Sequence, residues 1–239
     1  MPNYRYWKMK FLSDKLHFAS RHREETFHMQ NIREDERQVE YQWIFERLIR
    51  AGLFLDVGCL ETEFTNEVAK ESSLETYGID IRVPKRKLHY YFVRCDVKCL
   101  PFRDNVFDEI TAISTIEHVG LLGYENSLLD LKGDRKALNQ IMRVAKKGGA
   151  ILLTLPYGKK PPFWYRTYAF LKYKNAHGWM RIYNLKTLSS LIRGLVIEDL
   201  HFFVERAKSW VTALQSEAEE ATGKKAPFPG SVVCVKIRK

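Results

Sequence analysis

Apolar residues fall along this chain in two kinds of block. Short continuous runs at 53–57, 76–81, 91–95, 107–114 and 150–155 read as strands buried on both faces. Between them, apolar positions recur at helical spacing. Val39, Trp43, Ile44, Leu48 and Ile49 mark a helix over 34–50, with Gly52 as its stop. Further helices are expected over 62–70, over 134–147 ending at Gly148-Gly149, and over 184–193. Two closing strands, 195–204 and 231–237, complete the pattern, with a helix and a Gly/Pro-rich turn between them. Strands alternating with helices predict a parallel sheet covered on both faces.

The first strand ends Phe-Leu-Asp-Val-Gly, which places Asp56 and Gly58 at the carboxyl edge where open α/β sheets bind ligands. Asp80 ends the second strand some two dozen residues further on, about where a ribose-binding acid is expected in such a unit. A dinucleotide fingerprint would need glycines where Leu60 and Thr62 stand. Asp56, Glu61 and Glu63 also place negative charge where a diphosphate would sit. A nucleoside cofactor with a cationic head fits better, and S-adenosylmethionine has an ammonium, a sulfonium and no phosphate. Glu61 and Glu63 equally suit a helix N-terminus through its dipole.

The 239 residues suit one α/β domain, 34–239, preceded by an arm at 1–33. The aromatic segment at about 156–183 breaks the alternation and reads as a substrate lid or a packed flap. No apolar run approaches the length of a bilayer span, and the start of the sequence lacks an apolar signal core, so a cytoplasmic protein is expected. Cys59, Cys95, Cys99 and Cys234 match neither a disulfide framework nor a zinc site and read as buried thiols. The net charge of +10, with basic clusters at 82–87 and 143–147, admits an anionic partner such as RNA or a phosphorylated glycan, or simply a solvated surface.

Five motifs in order carry a resemblance: Leu-Asp-Val-Gly-Cys at 55–59, Tyr-Gly-Ile-Asp-Ile at 77–81, Cys95-Asp96 with Leu-Pro-Phe-Arg-Asp-Asn-Val-Phe-Asp at 100–108, Ile-Glu-His-Val at 116–119, and Arg-Val-Ala-Lys-Lys-Gly-Gly at 143–149. Over roughly 40–239 the chain resembles the class I S-adenosylmethionine-dependent methyltransferases of the type 11 kind. The resemblance implies a Rossmann-like, doubly wound sheet of seven strands, mostly parallel, with a C-terminal antiparallel hairpin. Runs at 114–121, 123–124 and 133–137 are similar to a branch that accompanies glycan-assembly enzymes, which tilts the acceptor toward a sugar. Carried over position by position, Asp56 and Gly58 would hold the methionine end, and Cys59 is a further expected cofactor contact. Asp80 would accept from both ribose hydroxyls and Asp96 would take the adenine amino group, with the Val97 N–H at the ring edge; Ile81 and Ser114 are further expected cofactor contacts. Leu60 and Thr62 depart from the family's glycines.

Methyl transfer from a sulfonium is an in-line displacement helped mostly by positioning. A hydroxyl acceptor also needs a base, and His118, just past strand four, is the candidate. The alternative is a scaffold histidine that orders the loop. Some relatives bind a divalent cation with Glu-x-x-Glu-His, but the first glutamate would fall at Ser114, so no metal is expected. Tyr157, His177, Arg181 and Tyr183 are candidate substrate contacts, Arg181 as a partner for a carboxylate or phosphate. The expected activity is O-methylation of a saccharide or other small hydroxylated acceptor. RNA methylation and a non-catalytic partner-subunit role are the alternatives.

Overall fold

The computed structural model describes residues 36–121, 129–159, 180–207, 209–221 and 230–239, together with two-residue strands Trp7–Lys8 and His28–Met29 of the arm, which pair antiparallel. The strands of the main sheet are β1 Ala51–Val57, β2 Ser73–Asp80, β3 Tyr91–Arg94, β4 Phe107–Ile113, β5 Ala145–Tyr157, β6 Val196–Arg206, β7 Ser209–Ala213 and β8 Ser231–Arg238. Their spatial order is β3-β2-β1-β4-β5-β8-β6-β7. The first five are parallel; β8 runs antiparallel to both β5 and β6, and β7 antiparallel to β6.

The sheet thus has eight strands where seven are expected. The extra one, β7, lies in the stretch read as helix and turn. A two-residue connection with Ala207 at φ +47° folds it back so that Arg206 faces Ser209. Its Trp210, Val211 and Thr212 are strand-forming types, and the helix of that stretch is shortened to Gln215–Glu220.

Alternation along the strands sorts the core into two layers. Phe54 and Leu152 face a layer with Ile44 and Phe45 of helix α1 (Arg37–Phe45) and Phe64 and Val68 of α2 (Phe64–Glu71). Leu55, Val57 and Ile110 face the opposite layer, with Ala137, Leu138, Ile141 and Val144 of α3 (Gly133–Val144). Leu188 and Leu191 of α4 (Leu185–Leu191) and Ala218 of α5 (Gln215–Glu220) join that layer. Capping starts α4: Asn184 Oδ1 accepts the Thr187 N–H at 3.0 Å, and Thr187 Oγ1 accepts the Asn184 N–H at 2.9 Å. Helix α3 ends at Val144, so Gly148 and Gly149 lie inside β5 rather than at a helix stop. No helix among the described residues is long and apolar enough to cross a membrane.

Candidate active site at the carboxyl edge of the sheet

Strand β1 runs straight into the first crossover turn. Gly58 takes φ +83°, and its N–H donates to Ile79 O at 2.8 Å, tying the turn to β2. A Cβ on Gly58 would lie 2.5 Å from Thr115 Oγ1, so the turn can pass this close to the loop after β4 only without a side chain. Leu60 and Thr62, the departures from glycine, are accommodated. The Leu60 N–H donates to Asp80 Oδ2 at 3.2 Å, and Thr62 Oγ1 accepts the Phe64 N–H at 3.3 Å.

Asp56 is buried at the end of β1. Its Oδ2 accepts from Thr65 Oγ1 on α2 at 2.5 Å and its Oδ1 from Thr111 Oγ1 on β4 at 2.7 Å. Burial pushes its pKa up to about 6, against the pull of those two hydroxyls and of Arg37. It lines a cleft with Arg37, Tyr41, Gly58, Thr62 and Ile113. Helix α1 is fixed over this cleft. Arg37 Nη1 donates to Glu40 Oε2 at 2.9 Å and to Ile113 O at 3.2 Å, and Ser114 Oγ donates to Glu40 Oε1 at 2.5 Å. Ser114 itself sits in the left-handed region, at φ +40°.

Asp80, on the neighbouring strand, is held differently. Its Oδ1 accepts from the Arg82 N–H at 2.9 Å and from Arg82 Nε at 3.0 Å; its Oδ2 accepts from Leu60 N–H and from Arg82 Nη2 at 2.8 Å. Burial alone would raise its pKa, but the Arg82 bonds outweigh it and hold the carboxyl below its ordinary value. Arg82 also reaches Glu61 at 2.9 Å, and Arg86 pairs with Glu63 at 3.0 Å and caps Thr62 O. The acidic turn is therefore neutralised by the basic segment that follows β2, so Glu61 and Glu63 do not face the cleft as bare charges. Asp56 is the acid left to meet a cationic head. The same pairing engages Arg82 and Arg86, two of the basic residues of the 82–87 cluster.

The remaining predicted cofactor residues lie along the same edge. Cys59 is buried against Tyr90, whose hydroxyl lies 3.4 Å from Cys59 O, and Ile81 is partly exposed just beyond Asp80. Asp96 follows β3; its Oδ1 accepts the Lys98 N–H at 2.9 Å, and Val97 beside it is buried.

Beyond β4 the chain makes a short 3₁₀ turn, Ile116–His118. His118 is mostly buried, with Nε2 3.7 Å from Glu117 Oε1. Glu117 is fully buried, and its Oε2 has no hydrogen-bond partner. Burial holds its carboxyl well above the usual range. Arg181 secures this turn: its backbone N–H and its Nη1 both donate to Glu117 O, at 3.1 and 3.0 Å, and Nη1 donates to Val119 O at 2.7 Å. Arg181 Nε also lies 3.4 Å from Asp134 Oδ2, which accepts the Tyr183 hydroxyl at 2.9 Å. Gly133 completes the seam, since a Cβ there would lie 2.4 Å from Val119 O.

Arg181 and Tyr183 are thus committed to the turn and to α3 rather than to an open pocket. Tyr157, also buried, donates its hydroxyl to Glu219 on α5 and accepts from Gln215 Nε2 at 2.9 Å. His177 lies outside the described residues. No group of three or more potential ligands is arranged to hold a metal among the described residues. Arg37, Glu40, Thr65, Thr111 and Arg82 shape the site without a sequence signal, because only the fold brings them to Asp56, Ser114 and Asp80.

Residues 55–153 match the family model described as a methyltransferase domain. Over 104 residues, 43% of this chain, the sequence is 32% identical to an uncharacterized protein of Methanocaldococcus jannaschii, and it spans 40% of that relative's length. The fold is similar to that of the 1,6-didemethyltoxoflavin-N1-methyltransferase of Burkholderia thailandensis, solved with S-adenosylhomocysteine. There the TM-score is 0.56 at 15% identity, covering 84% of this chain and 77% of that one. A methyltransferase of Methanosarcina mazei gives a TM-score of 0.56 at 14% identity, over 82% of this chain and 96% of that one. Residues 55–153 thus match a methyltransferase domain, and the sheet that carries them has the fold of solved methyltransferases.

Proposed function

We propose that this chain transfers the methyl group of S-adenosylmethionine to an oxygen of a small hydroxylated acceptor, a saccharide foremost. The observation that carries this is the pair of buried carboxylates, Asp56 and Asp80, at the ends of adjacent parallel strands around a glycine in the left-handed region. Asp56 suits an ammonium and Arg37, in the same cleft, suits a carboxylate, so together they fit the zwitterionic methionine end. Asp80 offers two acceptor oxygens to a ribose diol, and Asp96 and Val97 fit the adenine edge. The bound cofactor would supply an electrophilic methyl group.

The chain's own part is then to orient and to move a proton. His118 accepts the hydroxyl proton on its imidazole, which the 3₁₀ turn presents beside the end of β4. Arg181 fixes that turn. The saccharide reading draws on the runs at 114–121 and 133–137 and their similarity to glycan-associated relatives. Self-pairing of Arg82 and Arg86 favours a small acceptor over RNA, since these charges are directed inward. One observation favours a non-catalytic partner subunit: Arg82 fills the acceptor positions of Asp80.

The test is transfer of a labelled methyl group from S-adenosylmethionine into a panel of saccharides, other small alcohols and RNA. Label is expected in small hydroxylated acceptors. His118→Ala should lower kcat by about 10²–10⁴-fold while leaving S-adenosylhomocysteine affinity intact. Label in RNA alone, or in nothing, would overturn the reading.

A further inference from the structure

Asp80 carries a feature that its role as a ribose ligand does not explain. A carboxylate has about four lone-pair sites, and here all four are taken: two by backbone N–H groups, of Leu60 and Arg82, and two by the Arg82 guanidinium. The backbone bonds belong to the crossover turns and can persist. The guanidinium bonds, through Nε and Nη2, come from a side chain that is 38% exposed. They also offer two donors to the two oxygens, the same demand that a vicinal diol makes. Nη1 of the same guanidinium is anchored 2.9 Å from Glu61 Oε2, on the turn that lines the cleft.

We infer that Arg82 is a latch on the cofactor site: a ribose diol can take Asp80 only by displacing the Arg82 guanidinium, and this competition sets the affinity for the cofactor. The inference rests on the reading of Asp80 as the ribose acid. Displacement exchanges an ion pair carried by two N–H donors for two hydroxyl donors to the same carboxylate, so the latch weakens binding rather than blocking it. Arg82 is a residue that limits affinity from within the fold, and Glu61 holds it in the closed position. When the product leaves, the guanidinium returns to Asp80 and the site closes again without water having to satisfy the buried carboxylate.

Calorimetric titration with S-adenosylhomocysteine tests this on the full chain and on Arg82→Ala, Arg82→Lys, Glu61→Gln and Asp80→Ala, with thermal melts to establish folding. Arg82→Ala is expected to bind about tenfold more tightly than the parent. Arg82→Lys, a single charge without the fork, should fall between them, and Glu61→Gln should tighten binding two- to threefold. Asp80→Ala should bind at least about a hundredfold more weakly than the parent. Should Arg82→Ala not fold, Arg82→Lys and Glu61→Gln decide, because each loosens the latch while leaving a polar group in place. Binding by the parent that Arg82 substitutions leave unchanged or weaken would overturn the latch and leave the cofactor site standing. Absence of binding by the folded parent and by every folded variant would overturn the cofactor site itself, and the latch with it.

Discussion

Asp56 and Asp80 stand at the ends of neighbouring strands, both buried, yet their surroundings treat charge in opposite ways. Two neutral hydroxyls, from Thr65 and Thr111, hold Asp56, and burial lifts its pKa to about 6. Arg82 and two backbone N–H groups hold Asp80, and its pKa is depressed. Strand position makes an acid available at the edge; its neighbours decide whether it waits neutral-leaning or charged. Asp56 therefore gains from a cationic ligand that offsets its buried charge. Asp80 has already found a cation, which a neutral ribose must displace.

The comparison can be broken most strongly at Asp80. Asp80→Ala should weaken S-adenosylhomocysteine binding by about a hundredfold or more, against about tenfold for Asp56→Ala, as read by calorimetry. Next is the turn between them. Gly58→Ala combines a left-handed φ with a Cβ 2.5 Å from Thr115 and should cost about 2–3 kcal/mol in urea unfolding. Adding Thr115→Gly should recover only the steric part.

Stability sharpens the contrast, because the same change should act with opposite sign at the two acids. Asp56 has a folded pKa raised above its unfolded value of 3.8, so its contribution is fully present below pH about 4 and is lost as pH rises through 6. At pH 7.5 the buried charge is a liability, and Asp56→Asn should stabilise the ligand-free protein by on the order of 1–3 kcal/mol; the threonine hydroxyls can accept as well as donate. Asp80 has a depressed pKa and contributes stability above its unfolded pKa that is lost on acidification. Asp80→Asn should therefore destabilise at pH 7.5. The smallest effect is expected outside the pair. Arg181→Ala frees the turn bearing Glu117 and His118 and should lower kcat by about tenfold while cofactor affinity holds.

The strands and the two acids could be read from the sequence because each is local. A continuous apolar run makes a buried strand, and the acid that ends it must face the edge. What could not be read depends on residues distant in sequence. Thr111 and Thr65 look like any strand or helix threonine until the fold sets them beside Asp56. Arg181, read as an anion clamp, is spent on the backbone carbonyls of Glu117 and Val119. Tyr157 is bound to α5. Strand β7 was hidden for a different reason. Its hairpin turns just after Arg206, where the sequence lacks the Asn-Gly or Asp-Gly signature of a two-residue loop. The acidic turn misled in its own way, since Glu61 and Glu63 look unopposed until Arg82 and Arg86 fold back onto them.

The most direct test of the account is S-adenosylhomocysteine affinity measured from pH 5 to 8 for the parent chain and for Asp56→Asn. If ionised Asp56 holds the ammonium of the methionine end, affinity in the parent should fall as pH drops through about 6, and Asp56→Asn should be weaker and flat across that range. A parent curve that stays level through pH 6, or an Asp56→Asn chain that binds as tightly as the parent, would contradict it.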